Sequence, residues 1–151
     1  MANIFHMSEM VSLALHSILI IDAKDNQLVN AKSIAEKMEA SEAHLAKVLQ
    51  QLVKTGYIRS VRGPKGGFSL IKDANEITLL DIYELFEGSI KIKGCPMNYQ
   101  ICPFKSCIFG GIPEKLNQEF NEYMMSKKVS DFRGNLKYDL WNSFASITAK
   151  Y

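Results

Sequence analysis

Between residues 62 and 67 the chain reads Arg-Gly-Pro-Lys-Gly-Gly, three glycines and a proline in six positions. Glycine admits left-handed backbone and proline donates no backbone hydrogen bond, so neither a helix nor an unbroken strand crosses such a stretch. On either side lie Tyr57-Ile58-Arg59-Ser60-Val61 and Phe68-Ser69-Leu70-Ile71, rich in β-branched and aromatic residues. Two strand-like runs joined by glycine and proline form a β-hairpin. Whatever this chain folds into must accommodate a narrow, glycine-paved ribbon at that point.

The segments around it have helical period. Met7, Met10, Val11, Ala14, Leu15, Ile18 and Leu19 make an apolar stripe over Met7 to Ile21. A polar break follows over residues 22–27. Asn30 is an N-cap for a short helix over 31–38, with Ile34, Ala35 and Met38 inward. Ser41 caps the next helix, which runs to about Lys54 with Leu45, Val48, Leu49 and Leu52 inward, and Gly56 ends it. After the hairpin, Thr78 and Asp81 form a capping box that opens a helix through Phe86, stopped near Gly88. Residues 89–111 show no period. Pro113 starts a helix striped by Ile112, Leu116, Phe120, Tyr123 and Met124 and ending at about Lys127. A break over 131–135 precedes a last helix marked by Leu136, Leu140, Phe144 and Ile147, with Trp141 beside the stripe.

Three helices followed by a glycine-rich hairpin predict a mainly α fold with a small β-wing: a winged helix-turn-helix domain plus a long dimerisation helix. The division is 1–88 for the DNA-binding domain, 89–111 for a cysteine loop, and 112–151 for the dimerisation helix and helical tail. Charge agrees with this. Residues 24–72 hold nine Lys/Arg against four Asp/Glu, whereas the rest of the chain holds nine against twelve. A basic block on a slightly acidic protein is an electrostatic footprint for phosphate. The opening residues lack a basic stretch followed by a clean apolar run, and Leu13 to Ile21 is too short to span a bilayer, so a cytoplasmic protein with no membrane partner is expected.

A helix entering the major groove offers its N-terminal side chains to base edges. Here those are Ser41, Glu42, His44 and Lys47, while residues 30 to Ser33 open the preceding helix and offer backbone N–H groups to phosphate. On the wing, Arg59, Arg62 and Lys65 supply charge, and Gly63 and Gly66 allow close backbone approach; an arginine at the tip suits a minor groove.

All three cysteines, Cys95, Cys102 and Cys107, fall within thirteen residues as C-x6-C-x4-C. An odd, clustered set in a reducing compartment points to metal or redox chemistry rather than a disulfide framework. Thiolates are soft ligands that suit an iron–sulfur cluster or zinc. Spacing alone leaves a zinc module, a thiol redox switch and a partner-binding site open. A cysteine-nucleophile enzyme would need a base beside the thiolate, and no histidine lies near the loop in sequence.

The run from Thr55 to Leu70 resembles the wing signature of the BadM/Rrf-two regulators, and Ile77-Thr78-Leu79-Leu80-Asp81-Ile82 resembles the helix that follows it in that family. The resemblance covers about residues 7–125. It implies a homodimeric transcription regulator, a repressor, that binds a palindromic double-stranded operator with the recognition helix and Arg62. Ala46 falls where the family's iron–sulfur biogenesis regulator carries an acidic base-reading residue, which implies a different operator. The resemblance also implies that the three cysteines hold a cluster, 2Fe-2S or 4Fe-4S, that senses redox state, nitric oxide or iron–sulfur status. Its fourth ligand departs from known members: Gly110 stands where one uses histidine, and Ser12 where another uses a carboxylate donated by the partner subunit. Glu9, one turn before Ser12, is the first candidate, followed by His6 and His16.

Overall fold

The computed structural model describes residues 6–92 and 102–135. In chain order these form α1 (Glu9–Asp22), α2 (Ala31–Met38), α3 (Glu42–Lys54), β1 (Ile58–Val61), β2 (Gly67–Leu70), α4 (Leu79–Glu87) and α5 (Ile112–Ser126), then a 3-10 turn at Val129–Phe132. Cys95 and the helix expected from Leu136 onward, with Trp141, lie outside the described residues. Among the described residues no helix is long and apolar enough to cross a membrane.

Helix α1 is the centre of the molecule. It packs against α2, α3, α4, β2 and the 3-10 turn. A one-sided stripe does not describe it: Val11, Leu13, Ala14, Leu15, Ser17, Ile18, Ile20, Ile21 and Asp22 are all buried, while Met10, placed inward by the periodicity, is 45% exposed. Elements on several sides cover the helix, so burial follows its neighbours rather than its own moment. Its N-cap is Ser8, whose hydroxyl accepts the Val11 N–H at 3.3 Å.

Around it the sequence period holds. α3 buries Leu45, Val48, Leu49 and Leu52. It ends in a Schellman arrangement: Gly56, at φ 76°, donates to Val53 and Tyr57 donates to Leu52, each at 3.0 Å. Thr78 and Asp81 close the expected capping box at the start of α4. α2 and α3 are joined at Glu39, which sits in the left-handed region at φ 50° while Ala40 N–H reaches back to the Ala35 carbonyl.

The strands β1 and β2 pair antiparallel, with Ile58 opposite Leu70 and Val61 opposite Gly67. Phe68 also exchanges both backbone hydrogen bonds with Val29, at 2.9 and 2.8 Å, so β2 lies between β1 and the approach to α2. This crowding explains two of the glycines. A Cβ on Gly66 would strike the Val61 carbonyl, and one on Gly67 would lie 2.6 Å from the Val29 carbonyl.

The stripe of α5 is divided. Its second half packs on α4, with Met124 buried and the Phe120 ring edge-on to Tyr83 at 5.2 Å. Its first half projects, with Ile112 61% and Leu116 49% exposed. The helix starts one residue before Pro113, behind a left-handed Gly111. Within the break expected over 131–135, the chain instead carries the end of the 3-10 turn, because the Asp131 carboxylate accepts the Lys128 N–H at 2.8 Å and winds it.

Two substitutions test this packing. Gly67→Ala is expected to cost on the order of 2 kcal/mol in urea unfolding, since the Val29 carbonyl cannot retreat without breaking its bridge. Glu39→Gly is expected to add about 1 kcal/mol by relieving left-handed strain.

Candidate nucleic-acid interface and cysteine loop

The N-terminal turn of α3 is bare. Ser41 occupies the N-cap with extended backbone, yet its side chain makes no capping hydrogen bond, contrary to the expectation that it caps the helix. Uncapped N–H groups at a helix start carry partial positive charge and await an acceptor. Ser41, Glu42, His44 and Lys47 are all exposed there. The start of α2 differs. Asn30 Oδ1 accepts the Ser33 N–H at 2.7 Å, so that amide, counted among the groups offered to phosphate, is already taken. Further along α2, burial and then the charge of Lys24 hold the Lys37 amine below its ordinary range.

His44 is not isolated. Its Nδ1 lies 3.5 Å from Glu9 Oε1, an ion pair only when the imidazole is protonated. The two residues line a shallow cleft of about 170 Å³ with Met10, Leu13 and Lys47. A candidate ligand and a candidate base reader, proposed for separate sites, thus stand together where α1 begins beside the recognition helix.

On the wing, Arg62, Gly63 and Lys65 are exposed at the loop between the strands. Gly63 has φ 114°, which only glycine adopts without strain. Arg59 is also exposed, but its Nε donates to Ser69 Oγ at 2.9 Å across the ladder, which tethers its stem to the sheet. At the wing's base, Lys72 Nζ sits 4.0 Å above the Tyr57 ring, and burial followed by the nearby Asp81 charge pushes the Tyr57 phenol up.

Of the cysteine loop, Cys102 and Cys107 are described; both are free and exposed. Gly110 and Gly111 follow in left-handed conformation and turn the chain into α5. Exposed hydrophobic residues crowd this stretch: Phe104, Ile108 and Phe109. Among the described residues no group of three or more His, Cys, Asp or Glu is placed to hold a metal ion, and Glu9 faces His44. Cys95 lies outside the described residues.

Sequence reasoning missed one feature at the end of α1. Arg133 forms a two-bond fork on Asp22, which was placed in the polar break but is the last residue of α1. An aspartate ending an apolar helix was the one available signal, and its partner is more than a hundred residues away.

The Rrf2 family, described as "Iron-dependent Transcriptional regulator", matches residues 7–134. A protein of Aquifex aeolicus named as an HTH-type transcriptional regulator is 33% identical over 136 residues, 89% of this chain and 90% of its own. Among solved structures, CymR, described as the global cysteine regulator of B. subtilis, has a TM-score of 0.70 at 21% identity and covers 89% of this chain and 100% of its own, a likeness of fold. T. potens IscR has a TM-score of 0.65 at 26% identity over 85% of each chain. These relatives regulate transcription and are not enzymes.

Since both partners of the Glu9–His44 pair are exposed, Glu9→Gln is expected to change unfolding free energy by less than about 0.5 kcal/mol in urea titration. A larger loss would show that the pair holds α1 to the recognition helix.

Proposed function

Because the chain belongs to the Rrf2 family of iron-dependent transcriptional regulators, we propose that it is a cytoplasmic, homodimeric repressor of a palindromic DNA operator whose affinity answers to its three-cysteine loop. Residues 1–88 read DNA, 89–111 sense, and 112–151 join the two subunits. The observation that carries this reading is the uncapped, exposed N-terminal turn of α3 with Ser41, Glu42, His44 and Lys47 at its surface.

In this reading the bare amides of α3 donate to a phosphate, and Lys47 and His44 reach base edges or the backbone. Arg62 enters the minor groove, with Lys65 on flanking phosphate and Gly63 and Gly66 letting the ribbon approach. Arg59, held by Ser69, presents its remaining N–H groups beside it. Ile112, Leu116 and Tyr123 are exposed on α5, and a second copy of that face would remove them from water.

The donor set fits an iron–sulfur cluster: exposed thiols, soft in character, on a glycine-hinged loop, with Cys95 as the third ligand and Glu9 as candidate for the fourth. When bound, a 2Fe-2S or 4Fe-4S cluster supplies an iron centre responsive to redox state, nitric oxide or iron supply. The loop leads directly into α5, so any change in how the thiols are held is felt at the dimer helix. A second reading has its own support. Cys102 and Cys107 are exposed and free, as a thiol switch without a cluster requires.

Anaerobic purification separates the two. A coloured protein with stoichiometric iron and sulfide supports the cluster; a colourless one whose operator affinity changes with thiol oxidant supports the switch. Operator duplex is obtained by selection from a randomised library. If the triple variant Cys95→Ser, Cys102→Ser, Cys107→Ser binds that duplex as tightly and responds to the same signals, the sensing role fails. Arg62→Ala is expected to lose about 1–3 kcal/mol of binding and to relax discrimination at the base pairs under the wing.

A further inference from the structure

The segment that leaves α5 is sewn to the DNA-reading unit. Leu79 N–H donates to the Lys127 carbonyl at 2.9 Å, Val129 N–H to Ile77 at 2.9 Å and Ser130 N–H to Ala74 at 3.2 Å. Val129 is fully buried. Arg133 then closes on the end of α1, Nε to Asp22 Oδ2 at 2.8 Å and Nη2 to Oδ1 at 2.7 Å. The opposite end of α5 is held more lightly: Ile112 and Leu116 are exposed, the cysteine loop enters there, and the tie shown among the described residues is one side-chain hydrogen bond, Asn117 Nδ2 to the Lys91 carbonyl at 3.1 Å. The helix is a lever fixed at its exit.

Stability alone does not account for Asp22. Its side chain is 4% exposed, and it ends a helix with no basic residue in the last turn. Burial and the helix dipole both oppose a carboxylate there. Apolar residues of similar volume often stabilise a core as well as an ion pair does. What two parallel N–H···O bonds add is direction, because they align the guanidinium plane with the carboxylate.

We propose that the Asp22–Arg133 fork is a positioning device: it sets the angle of α5 against the DNA-reading unit, and thereby the half-site separation that the dimer accepts. This rests on the homodimeric, DNA-binding reading above. The lever makes the effect large. Fifteen helical residues span about 22 Å, so a tilt of roughly 10° at the anchored end moves the free end about 4 Å. That is comparable to the rise of one base pair, about 3.4 Å.

The test uses the full chain and the duplex that the unsubstituted protein selects from a randomised library. Affinity is measured by fluorescence anisotropy for that duplex, for versions with half-sites one base pair closer or further apart, and for a single half-site. Melting temperature is followed in parallel. The unsubstituted protein is expected to favour its own spacing about tenfold. In Arg133→Gln that preference should fall to about twofold with single half-site affinity unchanged, and Arg133→Lys, which keeps the charge and loses the fork, should fall between. Should Arg133→Gln not fold, the pair Asp22→Asn with Arg133→Gln buries no charge and answers the same question. A folded variant that keeps the full spacing preference overturns the inference while leaving the DNA-binding reading intact. Equal loss on the single half-site reduces the fork to a structural contact and overturns it too. If the unsubstituted protein selects no duplex at all, the DNA-binding premise itself falls, and the inference with it.

Discussion

Burial of α1 on nearly every side is the interaction on which the other elements depend. Fourteen residues at the start of the described core meet the helix pair, the wing strand, α4 and the 3-10 turn. Each of those elements is too small to bury its own apolar face alone, and α1 supplies the common surface. Helix α3 is thereby held from behind through Leu45, Val48, Leu49 and Leu52, which leaves its opposite face to solvent. Rigid support behind an exposed reading face is what a site needs if its side chains are to arrive at fixed positions on a partner.

The wing shows how one residue type answers two demands. Gly66 and Gly67 are required by the hairpin itself, because the Val61 and Val29 carbonyls occupy the space of a side chain. Gly63 is required by its backbone angle. The close approach to phosphate that glycine permits is therefore available without being the reason those glycines exist. Arg59 shows the same economy: one nitrogen ties its stem to Ser69 on the neighbouring strand, and the side chain stays at the surface. An exposed basic side chain with a fixed stem loses less rotamer freedom on binding than a free one.

α5 connects two kinds of environment. Its exit is bound to α4 and to the segment before it by buried side chains and backbone hydrogen bonds, and its entry is exposed beside the two described thiols. The cysteine loop and the packed helices are thus joined by one stiff element. The Glu9–His44 pair is a second link, between the first turn of α1 and α3, and it is open to solvent at both partners. A solvent-exposed pair of this kind holds weakly and exchanges partners readily, unlike the Asp22–Arg133 fork.

Among the described residues, the sequence by itself determined the order of the five helices and two strands, the hairpin, the helix pair joined at Glu39-Ala40, and the caps at Asn30, Gly56 and Thr78. All of these depend on residues within about four positions of one another, where propensity and hydrogen-bond reach are local. It also marked the exposed faces of α3 and the wing, because charge at a helix start and glycine in a turn are local signals too. Tertiary structure alone decided that α1 is covered on several sides, that Ser41 leaves its helix uncapped, that α5 divides into a packed half and a more exposed one, and that Arg133 returns to Asp22. Those outcomes depend on which distant segments arrive at a surface, and no periodicity within a segment encodes its neighbours.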